Sequence, residues 1–163
     1  MMMVAQKNII ISMISKHISD KEGVYSRTAL RLGINNKPNK QQLRNMELLA
    51  NEVFEPLRNY ANGPIKINSF FRSPELNKAI GGSTKSQHCH GQAIDIDDTY
   101  GHLTNAEMFN FIREHLDFDQ MIWEFGDGNN PDWVHVSYVS PKDNRNRCLK
   151  AYKYKGKTTY REI

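Results

Sequence analysis

The chain has 163 residues, of which 39% are hydrophobic and 25% charged, so it is long enough for one globular domain and too apolar for a disordered protein. Its 22 Lys and Arg residues against 18 Asp and Glu give a net charge of +4, which is too small to indicate a nucleic-acid-binding protein. The sequence contains no apolar run of the roughly 18–20 residues that a membrane span needs, and it lacks the basic start of a secretory signal. We therefore expect no membrane span and no signal peptide. Residues 1–22 are weakly patterned and are interpreted as an N-terminal extension, followed by a single domain over 23–163.

Helical signals dominate the first half of the chain and return once later. Ser26, Ser73 and Thr104 are typical N-cap residues, and Glu107 is placed to complete a capping box with Thr104. From Lys40, apolar residues recur at helical spacing, and Pro56 is expected to kink or end that helix. These signals predict helices over about 27–32, 40–57, 74–80 and 105–116.

Alternating apolar and polar residues indicate strands in the second half. Ile65 and Ile67 alternate with polar neighbours, and the same pattern returns in the segment 93–97. Further strands are predicted over 120–125, 133–139 and 148–154. Helices followed by strands that can pair with their neighbours favour an α+β fold, in which helices flank an antiparallel β-sheet.

The segment from Ser86 to Asp95 carries the strongest chemical signal. His88 leaves a predicted loop, and Asp95 lies in a strand whose aliphatic residues alternate with it, so Asp95 faces away from the core. Gly91 permits a sharp turn between the two. The pattern therefore predicts a nitrogen and an oxygen ligand that approach one point.

His135 offers a third ligand, because it lies between two valines in a later strand. Two histidines and one carboxylate form a known catalytic zinc set, in which a fourth position stays open for water. His90 is an alternative ligand, whereas Cys89 is not expected to share an ion with His88, since neighbouring side chains on an extended segment diverge. A metal site made of His88, Asp95 and His135 is the favoured interpretation.

The element Ser-x-His-x-x-Gly-x-Ala-x-Asp resembles that of the zinc D-alanyl-D-alanine carboxypeptidase and L-alanyl-D-glutamate endopeptidase family. It is present here as Ser86, His88, Gly91, Ala93 and Asp95, and an acid-x-x-His element follows about forty residues later. The resemblance spans roughly residues 26–138. It implies the fold that these enzymes share with the vancomycin-resistance dipeptidases and the hedgehog signalling domain.

By this resemblance, Zn²⁺ would be bound by His88, Asp95 and His135, and Asp132 would be the general base. The family often has Glu at that last position, and Asp132 and His135 would point to opposite faces of a regular strand. Pro131 allows Asp132 to belong to the preceding turn instead. Three other acids are alternatives for the base: Glu124, Asp119 and Asp127.

The segment from Asn68 to Ser73 resembles the family's Ser-x-x-Arg-Ser element. The resemblance implies that Arg72 contacts the substrate or the developing oxyanion, for which its charged fork is chemically suited. The alternative for Arg72 is a surface salt bridge. Ser86 would either bind the substrate backbone or cap the loop.

The function implied is a zinc-dependent peptidase that hydrolyses peptidoglycan stem peptides, of the D,D-carboxypeptidase or L-alanyl-D-glutamate endopeptidase type. We expect a monomer that is made in the cytoplasm and acts at the cell wall or periplasm after release or injection, as in phage lysis or as a virion-associated enzyme with a delivery partner. Two alternatives stay open: a metal-stabilised, non-catalytic binding module of the same fold, and a cytoplasmic D-Ala-D-Ala dipeptidase.

Overall fold

A six-stranded sheet forms the centre of the protein in the computed structural model, which describes residues 11–163. The strand order is β3-β4-β6-β5-β7-β8, and every pairing is antiparallel except that of β5 with β7. The strands are β3 (Lys66–Ser69), β4 (Ala93–Asp97), β5 (Gln120–Glu124), β6 (Trp133–Ser137), β7 (Arg147–Tyr154) and β8 (Lys157–Glu162). A separate two-stranded hairpin is formed by β1 (Met13–Ser15) and β2 (Ile18–Ser19).

Within residues 11–163, six α-helices accompany the sheet. The longest helical path runs from α3 through a π-helical segment, Ala50–Phe54, into α4. A short 3₁₀ turn, Gln87–His90, precedes β4. None of the helices in the described part of the chain is both long and apolar enough to cross a membrane. The helices are α1 (Asp20–Val24), α2 (Arg27–Leu32), α3 (Lys40–Leu49), α4 (Glu55–Ala61), α5 (Pro74–Ala79) and α6 (Asn105–His115).

The main core lies between one face of the sheet and the helices. Ile94 and Val134 from the sheet share a buried cluster with Leu49 of α3 and Phe109 of α6. The residues that alternate with these apolar positions therefore face the other side of the sheet. That opposite face is where the polar residues of β4, β5 and β6 lie.

The predicted α+β fold is confirmed, and most predicted elements are present within a few residues of their expected ends. The Ser26, Ser73 and Thr104 side chains each accept a backbone hydrogen bond at a helix start, and Thr104 and Glu107 form the predicted capping box. Pro56 does not end the helix, which continues to Ala61. Its missing N–H is accommodated because Pro56 lies in the first turn of α4, directly after the π-helical segment.

The parallel pairing of β5 with β7 departs from a fully antiparallel sheet for a topological reason. Strand β6 runs antiparallel to β5, so it ends beside the beginning of β5. The chain then crosses to the other side of β5, where the Asn146 and Arg147 N–H groups donate to the Phe118 and Asp119 carbonyls. Strand β7 therefore starts level with β5 and runs in the same direction.

Residues 1–10 of the predicted N-terminal extension lie outside the described residues. The rest of that extension forms the β1–β2 hairpin and the start of α1. Ile14 and Ile18 are buried in the main core. The boundary predicted at residue 22 therefore falls within a segment that packs on the domain.

Candidate metal centre

The polar face of the sheet brings Asp95 and His135 side by side. They are directly opposed residues of the antiparallel strands β4 and β6, and their buried neighbours Ile94, Ile96, Val134 and Val136 face the core. Opposed residues of an antiparallel pair point to the same face of the sheet. The alternation read from the sequence thus places these two side chains together.

His88 reaches the same point from the 3₁₀ turn before β4. Gly91 ends that turn with φ +70°, and a Cβ there would lie 2.5 Å from the Gln42 carbonyl oxygen. Helix α3 holds the turn through two amides, because the Gln42 side chain donates to the Cys89 carbonyl and the Asn45 side chain to that of His90. The glycine predicted for a sharp turn is therefore also required by the close approach of α3.

The three side chains are arranged as ligands of one metal ion. The His88 Nε2 lies 3.3 Å from Asp95 Oδ2, and His135 Nδ1 lies 2.9 Å from Asp95 Oδ1. One candidate ligand atom from each residue lies within 4.8 Å of the others. Tetrahedral zinc with ligand bonds of about 2.0–2.1 Å holds its ligand atoms roughly 3.3 Å apart. The donor types and their spacing thus fit a zinc ion, with one coordination position left for water.

Hydrogen bonding and burial favour the ligand forms of these residues. The His88 Nδ1–H donates to the Phe70 carbonyl at 2.7 Å, which leaves Nε2 free to coordinate and fixes the orientation of the ring, as a carbonyl behind a histidine ligand does in metal sites. Burial lowers the pKa of His88, so its imidazole is neutral. Burial opposes ionisation of Asp95, but its close contacts with His88 and His135 hold the pKa of Asp95 well below its ordinary value.

Glu124 is the acid that lines the same cleft. It is the last residue of β5, and it lies opposite Trp133 on β6, two positions along from the pairing of Ile122 with His135. Its exposed fraction is 8%. Burial, reinforced by the negative charge of Asp95, raises the pKa of Glu124 to about 7 against the opposing charges of His135 and Arg72. Such a carboxyl group is poised to accept a proton near neutral pH.

Asp132 does not lie in this cleft. It is an exposed turn residue before β6, its N–H donates to the Glu124 carbonyl, and its own carbonyl accepts from the Asn105 side chain. Pro131 does place Asp132 in the turn, as expected, but the turn leaves this side chain away from the lining of the metal centre. The structure therefore places Glu124, one of the alternative acids, in the cleft and leaves Asp132 outside its lining.

The other two alternatives for the base have structural partners. The Asp119 carboxylate accepts two hydrogen bonds from the Arg145 guanidinium and one from the Gln87 side chain. Asp127 accepts the backbone N–H groups of Asn129 and Asn130 in the β5–β6 loop. Neither acid lines the cleft, whereas Glu124 does.

Arg72 stands beside the candidate ligands. Its Nη2 lies 3.2 Å from Asp95 Oδ2, and its Nε donates to the Ser69 hydroxyl at 2.9 Å. A β-bulge between Ile67 and Ser69 changes the register of β3, so that Ser69 pairs with Asp95. Ser69 is a positioning residue that the sequence interpretation left without a role, although it belongs to the quoted Ser-x-x-Arg-Ser element.

Two cavities meet at the metal centre. The β8-side cavity, of about 700 Å³, is lined by the candidate ligands, Glu124, Ser86 and the end of the β7–β8 hairpin. The β3-side cavity, of about 500 Å³, is lined by β3 and the start of α2. Arg72, Asp95 and Trp133 line both. Ser86 makes no capping hydrogen bond through its side chain, so its hydroxyl is available to a ligand in the β8-side cavity.

Comparison with known protein families identifies a match. The sequence model of a family described as peptidase M15 matches residues 16–137, about three quarters of the chain. The matched range contains the three candidate ligands, Arg72 and Glu124. A search of curated proteins finds no match to this chain.

Proposed function

Because the chain belongs to the peptidase M15 family, we propose that it is a zinc-dependent peptidase that hydrolyses peptidoglycan stem peptides. The single observation that supports this most strongly is the convergence of His88, Asp95 and His135 in a cleft that also contains Glu124. Ligands and a carboxyl group of raised pKa in one cleft are the components of metal-assisted amide hydrolysis. The bond cut is of the D,D-carboxypeptidase or L-alanyl-D-glutamate endopeptidase type.

In this proposal His88, Asp95 and His135 hold the zinc ion. When bound, zinc would supply a water molecule whose pKa is lowered to about 7 and would polarise the scissile carbonyl group. The chain's own contribution begins with ligands that are already in their coordinating forms. His88 is neutral and fixed by the Phe70 carbonyl, and Asp95 is ionised.

Glu124 acts as the general base. Its carboxylate accepts a proton from the attacking water and then passes it to the leaving amine, for which a pKa of about 7 is well matched. Its position at the end of β5 is fixed because the next residue, Phe125, adopts φ +55° and turns the chain out of the strand. The Asp132 N–H, bonded to the Glu124 carbonyl, holds the same strand end from the other side.

Arg72 stabilises the negative charge that develops on the carbonyl oxygen. Its guanidinium is oriented by Ser69 and Asp95 and lies where the two cavities join. A fixed cation at the site of developing charge lowers the barrier more than one that must reorganise. Ser86, which also lines the β8-side cavity, binds the substrate backbone through its hydroxyl.

The experiment that tests this function combines zinc analysis with peptidoglycan hydrolysis. The purified protein should contain or take up one zinc ion per chain, release peptide fragments from peptidoglycan, lose this activity with a chelator and regain it with Zn²⁺. Mass spectrometry of the fragments identifies the bond and separates a wall peptidase from a D-Ala-D-Ala dipeptidase. Hydrolysis that is insensitive to the chelator would contradict the zinc role.

The Glu124→Gln variant separates an enzyme from a metal-stabilised binding module. An enzyme should keep its zinc and lose hydrolysis, whereas a binding module has no hydrolysis to lose. The expected place of action, a cell wall or periplasm reached by lysis, release or injection from a virion, stays a prediction. Lysis of cells by added protein, compared with the Glu124→Gln variant, tests it.

A further inference from the structure

One face of the β7–β8 hairpin lies on the side of the sheet opposite the candidate metal centre. Cys148 of β7 is buried in the main core, and every second residue after it faces the same side of the sheet. The residues of β8 that pair with them face that side as well. The hairpin residues that line the β8-side cavity, among them Lys153 and Tyr160, alternate with these and face the other way. The hairpin surface is defined here as Lys150, Tyr152 and Tyr154 of β7, Lys155 of the turn, and Lys157, Thr159 and Arg161 of β8.

Positive charge is concentrated on the hairpin surface. Its basic residues are Lys150, Lys155, Lys157 and Arg161, and within residues 11–163 none of the four forms an ion pair. The acid of the hairpin, Glu162, pairs with Leu149 on the cleft side and forms an ion pair with Arg147. The net charge of the whole chain is +4, so this small surface carries as much net charge as the entire chain.

Two of these cations oppose each other directly. Lys150 and Arg161 are cross-strand partners of β7 and β8, and like charges at such positions destabilise a sheet. The Lys150 Nζ lies over the Trp123 ring, 5.8 Å from its centroid. Backbone N–H groups lower the pKa of Asp127 most, and the charge of Lys150 adds to this from outside ion-pair distance. A local conflict of this kind is typical of a functional surface.

Protection of the sheet edge does not explain the whole surface. Strand β8 is the edge strand, where charged residues hinder pairing with another chain, and this accounts for Lys157 and Arg161. Lys150, however, lies on β7, which is already paired on both sides. Lys155 occupies the turn with φ +49°, a conformation that favours Asn or Gly. These two cations therefore need another reason.

We propose that the hairpin surface binds an anionic glycan, a chain of sugar rings that carries phosphate or carboxylate groups, at a site separate from the catalytic cleft. The cations lie at both ends of the surface. Lys150 and Arg161 form one end, Lys157 lies at the other, and four residues along a strand span about 13 Å. A spacing of this size suits anions that are distributed along a polymer, rather than one small ion.

Tyrosines supply the contact with the sugar rings. Tyr154 is 58% exposed, and Tyr152 lies two residues earlier on the same face, beside Thr159. A tyrosine ring offers a flat apolar face to the C–H groups of a sugar, and its hydroxyl group can hydrogen-bond to the sugar hydroxyls. Rings between two groups of cations match a polymer in which sugars alternate with anionic groups.

Two other polyanions fit the hairpin surface less well. Proteins that bind an anionic membrane insert apolar side chains beside their cations, and the most apolar residues of this surface are tyrosines. Nucleic acid is bound through many cations, for which a chain of net charge +4 is weakly equipped. The choice of a glycan rests in part on the proposed function, because hydrolysis of peptidoglycan brings the protein to a sugar polymer.

The binding test uses the full chain, with and without zinc, and labelled soluble probes. An oligogalacturonate carries carboxylates and a phosphomannan carries phosphodiesters, so the two distinguish the sources of the anionic group. We expect at least one of them to bind at least about fivefold more tightly than uncharged dextran and than polyphosphate, with the same affinity in both metal states. Failure of both glycans to exceed polyphosphate would overturn the proposal. Tighter binding of poly(dT), or of vesicles made of equal parts phosphatidylglycerol and phosphatidylcholine, would replace the glycan by nucleic acid or membrane.

Variants of exposed residues locate the binding site. Lys157→Gln with Arg161→Gln should weaken glycan binding by about five- to twentyfold, and Tyr154→Ser by about three- to tenfold. The matched control is Lys40→Gln with Arg44→Gln on α3, which has the same residue types, spacing and change in charge and should stay within about twofold of wild type. Equal losses in the control and the hairpin variants would overturn the proposal. Unchanged binding with new self-association of Lys157→Gln/Arg161→Gln in light scattering would assign these charges to edge protection instead.

The glycan site and the peptidase function can fail separately. Lys157 and Arg161 lie outside the lining of the β8-side cavity, so their variant should hydrolyse a small soluble stem peptide within about twofold of wild type. Hydrolysis without glycan binding would overturn the glycan site alone. Glycan binding that depends on the hairpin surface, without hydrolysis of any peptide, would retract the peptidase function alone.

Discussion

Replacing Glu124 by Gln removes an ionisable carboxyl group from the cleft with almost no change in shape. If Glu124 is the general base, kcat/KM should fall by about 10²–10⁴, the range that a positioned base contributes. At about 1.4 kcal/mol for each tenfold change, this is about 3–5 kcal/mol of transition-state stabilisation. Zinc content should be unchanged, because Glu124 is not one of the candidate ligands.

The same substitution should stabilise the metal-free protein at high pH. The pKa of Glu124 rises from its ordinary 4.5 to about 7 in the folded state, a difference worth about 3 kcal/mol. Between pH 4.5 and 7 the folded state therefore binds more protons than the unfolded state, so wild-type stability falls as pH rises through this window. The amide has no such cost, and the variant should gain up to about 3 kcal/mol relative to wild type between pH 4 and pH 8.

Urea unfolding of both metal-free proteins at several pH values, together with peptidoglycan hydrolysis by the zinc-loaded forms, checks both effects. The Asp132→Asn variant is the matched control, because it changes an exposed acid just before the paired strand. It should keep activity within about threefold and show no comparable pH-dependent gain. A Glu124→Gln protein with nearly full activity, or with a stability difference that does not change with pH, would refute the assignment of Glu124.

Three further predictions concern the supports of the site. Asp119→Ala should lower the free energy of unfolding in urea by about 2–4 kcal/mol, since it removes the buried carboxylate that pairs with Arg145. Its control, Glu162→Ala, breaks an exposed ion pair and should lower this free energy by less than about 1 kcal/mol. Gly91→Ala should lower the free energy of unfolding by more than about 2 kcal/mol and weaken zinc binding in a competitive chelator titration. Gly33 has a similar positive φ but open space around it, so Gly33→Ala should lower the free energy of unfolding by only about 1 kcal/mol. Zinc at about 100 times its Kd should stabilise the wild type by about 2.7 kcal/mol in the same assay, and His135→Ala should abolish most of that gain.

Each of these predictions has an outcome that contradicts it. Equal costs for Asp119→Ala and Glu162→Ala would mean that burial of the Asp119 network adds nothing. Equal costs for the two glycine variants would remove the close approach of α3 as the reason for Gly91. An undiminished zinc effect in His135→Ala would exclude this histidine as a ligand.

The sequence was sufficient to predict the grouping of the metal centre, because short-range rules determine it. Alternation in β4 fixes the face of Asp95, and the valines on either side of His135 fix its face in the same way. Once β4 pairs with β6 in the register that the structure shows, Asp95 and His135 lie side by side. His88 required a turn, and Gly91 signalled that turn.

The acid that lines the cleft could not be identified from the sequence, since this depends on which residues the β5–β6 loop leaves there. The resemblance to the acid-x-x-His element implied Asp132, but cross-strand pairing places Glu124 near the centre although it is eleven residues away from His135 in the chain. Alternation of Glu124 with the buried Trp123 was the available signal. This alternation shows which face of the sheet Glu124 occupies, but not that Glu124 lies close to the candidate ligands.

Three strands were missed for reasons of length and exposure. The β1 and β2 strands contain three and two residues, too few for a periodic pattern to be recognised. Strand β8 is mostly exposed on both faces, so the segment from Lys157 to Glu162 lacks apolar alternation. It is a strand because β7 offers it an edge to pair with, which is a tertiary effect.

The β7–β8 hairpin has a consequence for how this protein could diversify. The peptidase M15 match ends at residue 137, before the hairpin begins, yet the hairpin forms the outer wall of the β8-side cavity. The candidate ligands, Glu124 and Arg72 all lie outside the hairpin, which adds to the sheet by pairing β7 with the free side of β5. The outer wall of the β8-side cavity is thus separate in sequence from the residues around the candidate metal centre. Exchanging residues 147–162 between related enzymes should therefore transfer peptide preference without changing that centre.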